Sequence, residues 1–110
     1  MAYTRTVTMT RPNTGVELPK ISDTHADHDA ICRTKFAEAG VTKSYTWDSN
    51  ELVLSVVSEA ADKATMLAVL DDLNTLPAEA ASMAAVKASC IAVGISVRIA
   101  DSDGEEYTNF

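Results

Sequence analysis

Residues 41–57, VTKSYTWDSNELVLSVV, hold two runs of period two around a turn. Val41, Lys43, Tyr45 and Trp47 share one face of the first run. Asp48, Ser49 and Asn50 supply turn chemistry, and Leu52, Leu54 and Val56 then alternate with Val53, Ser55 and Val57. β-Branched and aromatic residues at alternate positions fit a pleated, half-buried surface, so the stretch reads as a β-hairpin. What flanks the hairpin decides how it is used.

Upstream, YTRTVTMT at positions 3–10 sets Tyr3, Arg5, Val7 and Met9 against four threonines, the pattern of a half-buried strand. Pro12 removes a ladder donor, and RPNTGVELPK has the composition of a loop. A helical period then runs from about Asp23 to Ala39 and stops at Gly40. Downstream, Ser58 is the expected N-cap of a helix to about Leu73, with Leu67, Leu70 and Leu73 at helical spacing. Asn74 to Pro77 interrupts it. The alanine-rich PAEAASMAAVKASCIAV resumes the helix until Gly94, ISVRIA alternates as a strand, DSDG is a turn, and EEYTNF is a short strand or tail.

The order is strand, helix, strand, strand, broken helix, strand. It predicts an α+β fold of the ferredoxin-like, split βαβ type: an antiparallel sheet with helices on one face and the second helix broken near Pro77. One domain over residues 1–100 is expected, followed by an acidic tail at 101–110. Leu54 and Phe36 are expected to be buried against each other's elements. The opposite sheet face carries threonines on the first strand, with Tyr45 and Trp47 expected to emerge beside them.

Charge narrows the choice of partners. The net charge of −7 arises entirely after residue 50, where three Lys/Arg face ten Asp/Glu; residues 1–50 carry six of each. With no basic run, nucleic acid and anionic membranes are not expected as partners. No apolar run is long enough to span a bilayer, and MAYTRTVTMT alternates where a signal peptide would be continuously apolar, so the expected compartment is a cytosol. Two cysteines without paired spacing read as buried thiols.

SDTHADHD at 22–29 gathers both histidines of the chain, and Cys32 follows. On a helix His25, His28, Cys32 and Phe36 share one stripe, a candidate zinc surface. Ligands on one helix cannot close a tetrahedron without a donor from elsewhere, and no further histidine exists. The stretch is therefore read as a helix start, capped by Ser22 or Asp23, with Asp27 and Asp29 at the positive end of the dipole; no metal and no cofactor are expected. Asp101, Ser102, Asp103 and Gly104 form only part of a calcium loop and read as a turn. Asp71 and Asp72 point different ways around a helix and read as solvated. With no GxSxG, HExxH, CxxC or phosphate-cradling glycine loop, no catalytic residue is assigned.

MAYTRTVTMTRPN, leading through a helix to SYTWDSNELVLSVVSEA, resembles the opening half of short structural proteins of tailed bacteriophages, over about residues 1–60. The resemblance implies a non-enzymatic virion subunit of the capsid, neck or tail. Such a subunit assembles in the host cytoplasm and contacts copies of itself and other virion proteins. The rival from another class is a dimeric α+β barrel in which two sheets enclose a small-molecule pocket, as an enzyme or binding protein; a third is a cytosolic regulatory module. Segregated charge suggests how subunits would meet. Arg5, Arg11 and Lys20 form a basic side, Asp101, Asp103, Glu105 and Glu106 an acidic one, and Tyr45, Trp47, Tyr107 and Phe110 are candidate apolar anchors. The alternative is that the tail folds back on its own first strand and satisfies those charges inside one monomer.

Overall fold

Strand β1, Tyr3–Thr10, is the centre of the sheet in the computed structural model, which describes residues 2–104 and 106–109, the last three by backbone alone. Its period of two works as the sequence predicts. Tyr3, Val7 and Met9 join core clusters, while the intervening threonines face the other way. On one side β1 pairs antiparallel with β3, Val53–Ala60, and on the other with β4, Ser96–Asp101. Strand β2, Thr42–Trp47, adds outside β3, and β5, Glu106–Asn109, adds outside β4, giving the order β2-β3-β1-β4-β5.

Two crossovers generate that order. Helix α1, Ala26–Glu38, carries the chain from β1 past β3 to β2; helices α2, Lys63–Asn74, and α3, Glu79–Ala92, carry it from β3 past β1 to β4. The fold is the expected α+β, ferredoxin-like split βαβ arrangement, with the second crossover helix broken between Asn74 and Glu79. Gly40 and Gly94 end α1 and α3 at φ values of +74° and +77°, where a Cβ would be strained. The DSNE turn of the hairpin is held by Asp48, whose Oδ1 accepts from Leu52 and Val53 amides.

The core has two lobes under the helices. Met66 and Val69 of α2 pack with Tyr3, Val41 and Ala60, and Phe36, Ala39 and Leu70 close around them. Cys90 of α3 packs with Ile95 and Val97, joined by Val7, Met9, Ile99 and by Val16 and Leu18 of the β1–α1 loop. Met66 and Cys90 are fully buried; burying a side chain the size of Met66 contributes about 1.5–3 kcal/mol.

Several local expectations are corrected. The second helix starts at Lys63, capped by Asp62 Oδ1 on the Thr65 amide at 2.8 Å, and not at Ser58, because β3 continues to pair with β1 as far as Ala60 opposite Tyr3. The first helix starts at Ala26; Ser22 and Asp23 belong to a preceding turn of 3-10 helix, Ile21–Asp23, where Asp23 Oδ2 accepts from the Lys20 amide. Leu54 and Phe36 do not meet in one core. Leu54 sits beside Met9 at one end of the sheet, whereas Phe36 packs with the Tyr3 and Ala60 cluster at the other. Tyr45 and Trp47 lie opposite Val56 and Leu54, and directly paired residues share a face, so both aromatics are on the helix side and not beside the threonines. β2 is an edge strand of the sheet, and Tyr45 is 59% and Trp47 40% exposed. β4 reaches Asp101, one residue past the expected domain boundary, and β5 continues the sheet.

Candidate functional site

Helix α1 buries an unusual stripe. Its buried residues are His28 and Cys32, at i and i+4, and Phe36 one turn further on is half-buried. Ala30 and Ile31 lie beside a shallow groove on the outer side of the helix. Polar, ionisable groups therefore stand at core-facing positions where leucines would serve packing alone, and such groups need partners.

The partner comes from α3. Glu79, first residue of that helix, brings Oε2 to 2.6 Å from His28 Nε2, and Cys32 Sγ lies 3.4 Å from the same nitrogen and 3.9 Å from the same oxygen. The side chain of Glu79 is largely buried and that of His28 almost wholly so. Imidazole, thiol and carboxylate from residues 28, 32 and 79 thus converge on one point between two helices, the group of metal-ligating type found among the described residues. With Glu79 as acceptor, His28 Nε2 carries the proton of that hydrogen bond.

The chemistry open to this cluster follows from its topology. A relay of the Cys–His–acid kind uses both imidazole nitrogens, one on the nucleophile and one on the acid. Here sulfur and carboxylate oxygen both approach Nε2, so the imidazole does not bridge them. Burial raises the Cys32 pKa above 9.0, and the charges of Glu79 and Asp29 raise it further, which keeps the sulfur a thiol and a poor nucleophile. Cys90 is also raised, by burial alone. Convergent donors suit shared hydrogen bonding or a shared cation better than proton relay.

His25 is outside the cluster. It is the N-cap residue of α1, with φ −136° and ψ 59°, and its Nδ1 lies 2.9 Å from Thr24 Oγ1. The expected four-residue stripe is thereby shortened to His28, Cys32 and Phe36. Sequence reasoning missed Glu79 because its position in an alanine-rich helix carries no local mark; the buried histidine's need for a partner was the one available signal.

The sequence matches no family model and no curated protein.

The candidate interface residues are distributed as follows. Arg5 and Asp101 pair within the chain, Nε to Oδ1 at 2.7 Å, with the Asp101 carboxylate fully buried and also accepting from the Tyr3 hydroxyl. Asp103 accepts from Lys63 Nζ at 2.7 Å and from the Tyr3 hydroxyl at 3.2 Å. Glu106 pairs with Arg98. Arg11 Nε donates to the Glu51 carbonyl and its Nη1 to the Val16 and Thr14 carbonyls, while its guanidinium stacks 4.5 Å from the Trp47 ring centroid. Lys20 is exposed just before the 3-10 turn. Glu105, Phe110 and the Tyr107 side chain lie outside the described residues. Asp101 to Gly104 make the β4–β5 turn, closed by the Gly104 amide on the Asp101 carbonyl, and Asp71 and Asp72 are exposed on α2.

The face of the sheet away from the helices is built from Thr4, Thr6 and Thr8 of β1, Val53, Ser55 and Val57 of β3, and Ala100 of β4, all half-buried, with Glu59 and Arg98 at its margins. No described helix packs on it: both core clusters lie on the Tyr3, Val7, Met9 side. Two shallow grooves lie on the helices, one along α1 and one between α1 and α2 near Lys35, Glu38, Thr65 and Asp72.

Proposed function

We propose that this chain is a non-catalytic structural subunit that acts through protein–protein contacts, and that it serves as a component of a tailed-phage virion, in capsid, neck or tail. The observation that carries the first part is the uncovered sheet face of Thr4, Thr6, Thr8, Val53, Ser55 and Val57. Small β-branched residues make that face nearly flat, supply apolar area, and offer hydroxyls that can hydrogen-bond across a second sheet. The occupant this face fits is a second copy of the chain. Like meets like in an isologous contact, and Glu59 and the Arg98–Glu106 pair stand at opposite corners, so a two-fold axis between them sets the Glu59 carboxylate of each copy beside the Arg98 guanidinium of the other, which would then bridge two carboxylates. The sequence resemblance over residues 1–60 supports the second part.

The particle assignment is tested by mass spectrometry of virions purified from a culture that makes this chain. The proposal expects the chain in the particle fraction at many copies per virion. Recovery only in the soluble lysate, with particles free of it, overturns the virion assignment.

A further inference from the structure

We infer that His28, Cys32 and Glu79 form a binding site for a divalent transition-metal ion of borderline softness, with zinc as the best fit, which ties α1 to α3. The inference is independent of the assembly reading and rests on the convergence of three donor atoms.

Zinc binds thiolate sulfur at about 2.3 Å and imidazole nitrogen and carboxylate oxygen at about 2.0–2.2 Å, so a tetrahedral ion spaces such donors by roughly 3.4–3.6 Å. The observed separations are 3.4 Å for sulfur to nitrogen and 3.9 Å for sulfur to oxygen. Two of three edges already match to within a few tenths of an ångström. The third, nitrogen to oxygen at 2.6 Å, is a hydrogen bond that must open by about 0.8 Å to reach that spacing, a small movement at the end of the Glu79 side chain.

Donor type selects the ion. Sulfur and imidazole exclude the hard cations magnesium and calcium, which take oxygen ligands, and favour zinc or cobalt. Charge fits as well. A thiolate, a carboxylate and a neutral imidazole sum to about two negative charges, which one divalent ion neutralises, so the metal-loaded site buries no net charge. On binding, the Cys32 thiol proton leaves to solvent, the imidazole proton moves from Nε2 to Nδ1, and Nε2, Sγ and the Glu79 oxygen become ligands. Three protein ligands leave a fourth position for water or a further donor. The metal closes a link between residues 28 and 79, and the distant donor that helix α1 lacks by itself is supplied by α3.

The test uses the full chain, reduced and dialysed against chelator, titrated with Co2+ and, in parallel, with Zn2+ in competition with a chromophoric chelator. The wild-type chain is expected to bind one equivalent of Co2+ with the intense near-ultraviolet band of thiolate ligation, and Zn2+ is expected to raise its Tm. Cys32→Ser should abolish the band. Glu79→Gln should weaken Zn2+ binding by at least about tenfold. His25→Ala should change neither. A wild-type titration that shows only the aquo-cobalt spectrum, with no Tm change on Zn2+, overturns the inference and leaves the cluster a hydrogen-bonded knot. A band that survives in Cys32→Ser, or affinity unchanged in Glu79→Gln, overturns it too. If Cys32→Ser does not fold, the Glu79→Gln affinity decides.

Discussion

Arg5 Nε and Asp101 Oδ1 lie 2.7 Å apart although 96 residues separate them in the chain, and they join the middle strand of the sheet to the last residue of β4. The Asp101 carboxylate, with no exposed surface, is held on a second side by the Tyr3 hydroxyl. Charge that looks segregated along the sequence is closed inside the subunit at this point. A heterologous contact between a basic first strand and an acidic tail therefore cannot use these two groups without breaking them apart.

Asp101→Ala should destabilise the chain by about 3–5 kcal/mol, because it removes a carboxylate with no exposed surface on which the largely buried Arg5 guanidinium and the Tyr3 hydroxyl converge. Urea unfolding followed by circular dichroism measures this. A loss under about 1 kcal/mol would place the pair among the weak surface bridges.

Core truncations should separate by position. Met66→Ala removes a side chain with no exposed surface and should cost about 2–5 kcal/mol, whereas Leu54→Ala, half-buried at the far end of the sheet, should cost clearly less. Equal losses in the same unfolding assay would contradict the two-lobed core.

What the sequence makes legible is local. The period of two in YTRTVTMT and in the 41–57 hairpin, and the helix stops at Gly40 and Gly94, report backbone preferences that neighbours in sequence settle among themselves. The strand order follows because short crossovers leave few alternatives. Ser58 misleads as a cap because its hydroxyl suits a helix start, yet pairing of Glu59 and Ala60 with β1 outweighs that preference. Tyr45 and Trp47 look like open-face residues because the sheet face of an edge strand depends on register, which only the pairing with β3 sets. The site divides in the same way. His28 and Cys32 are visible as an i, i+4 pair on one helix, but Glu79 reaches them only through the tertiary crossing of α1 and α3. Asp101 reads as the start of a solvated turn and is instead a buried anchor, since nothing near it in sequence marks Arg5 and Tyr3 as its partners.

Stability should carry a thiol-linked loss in alkaline solution. Burial raises the Cys90 pKa in the folded chain above 9.0, so below that value the thiol is protonated in both states and contributes its full share. As pH rises past 9.0 the unfolded chain releases the proton first, and that share is lost toward the folded pKa. The difference in unfolding free energy between wild type and Cys90→Ala, which cancels other titrations, should shrink as pH rises above 9.0. A difference that grows or stays flat would contradict the assignment.

The uncovered sheet face is where the account places contact between copies, and light scattering coupled to size-exclusion chromatography tests that most directly. The wild-type chain should elute at a multiple of 11.7 kDa, and Val57→Lys, which sets an ammonium into the middle of the threonine and valine face, should elute at 11.7 kDa with its melting transition retained. A wild-type chain that stays at 11.7 kDa at high concentration, or a Val57→Lys variant that keeps the wild-type mass, would contradict it.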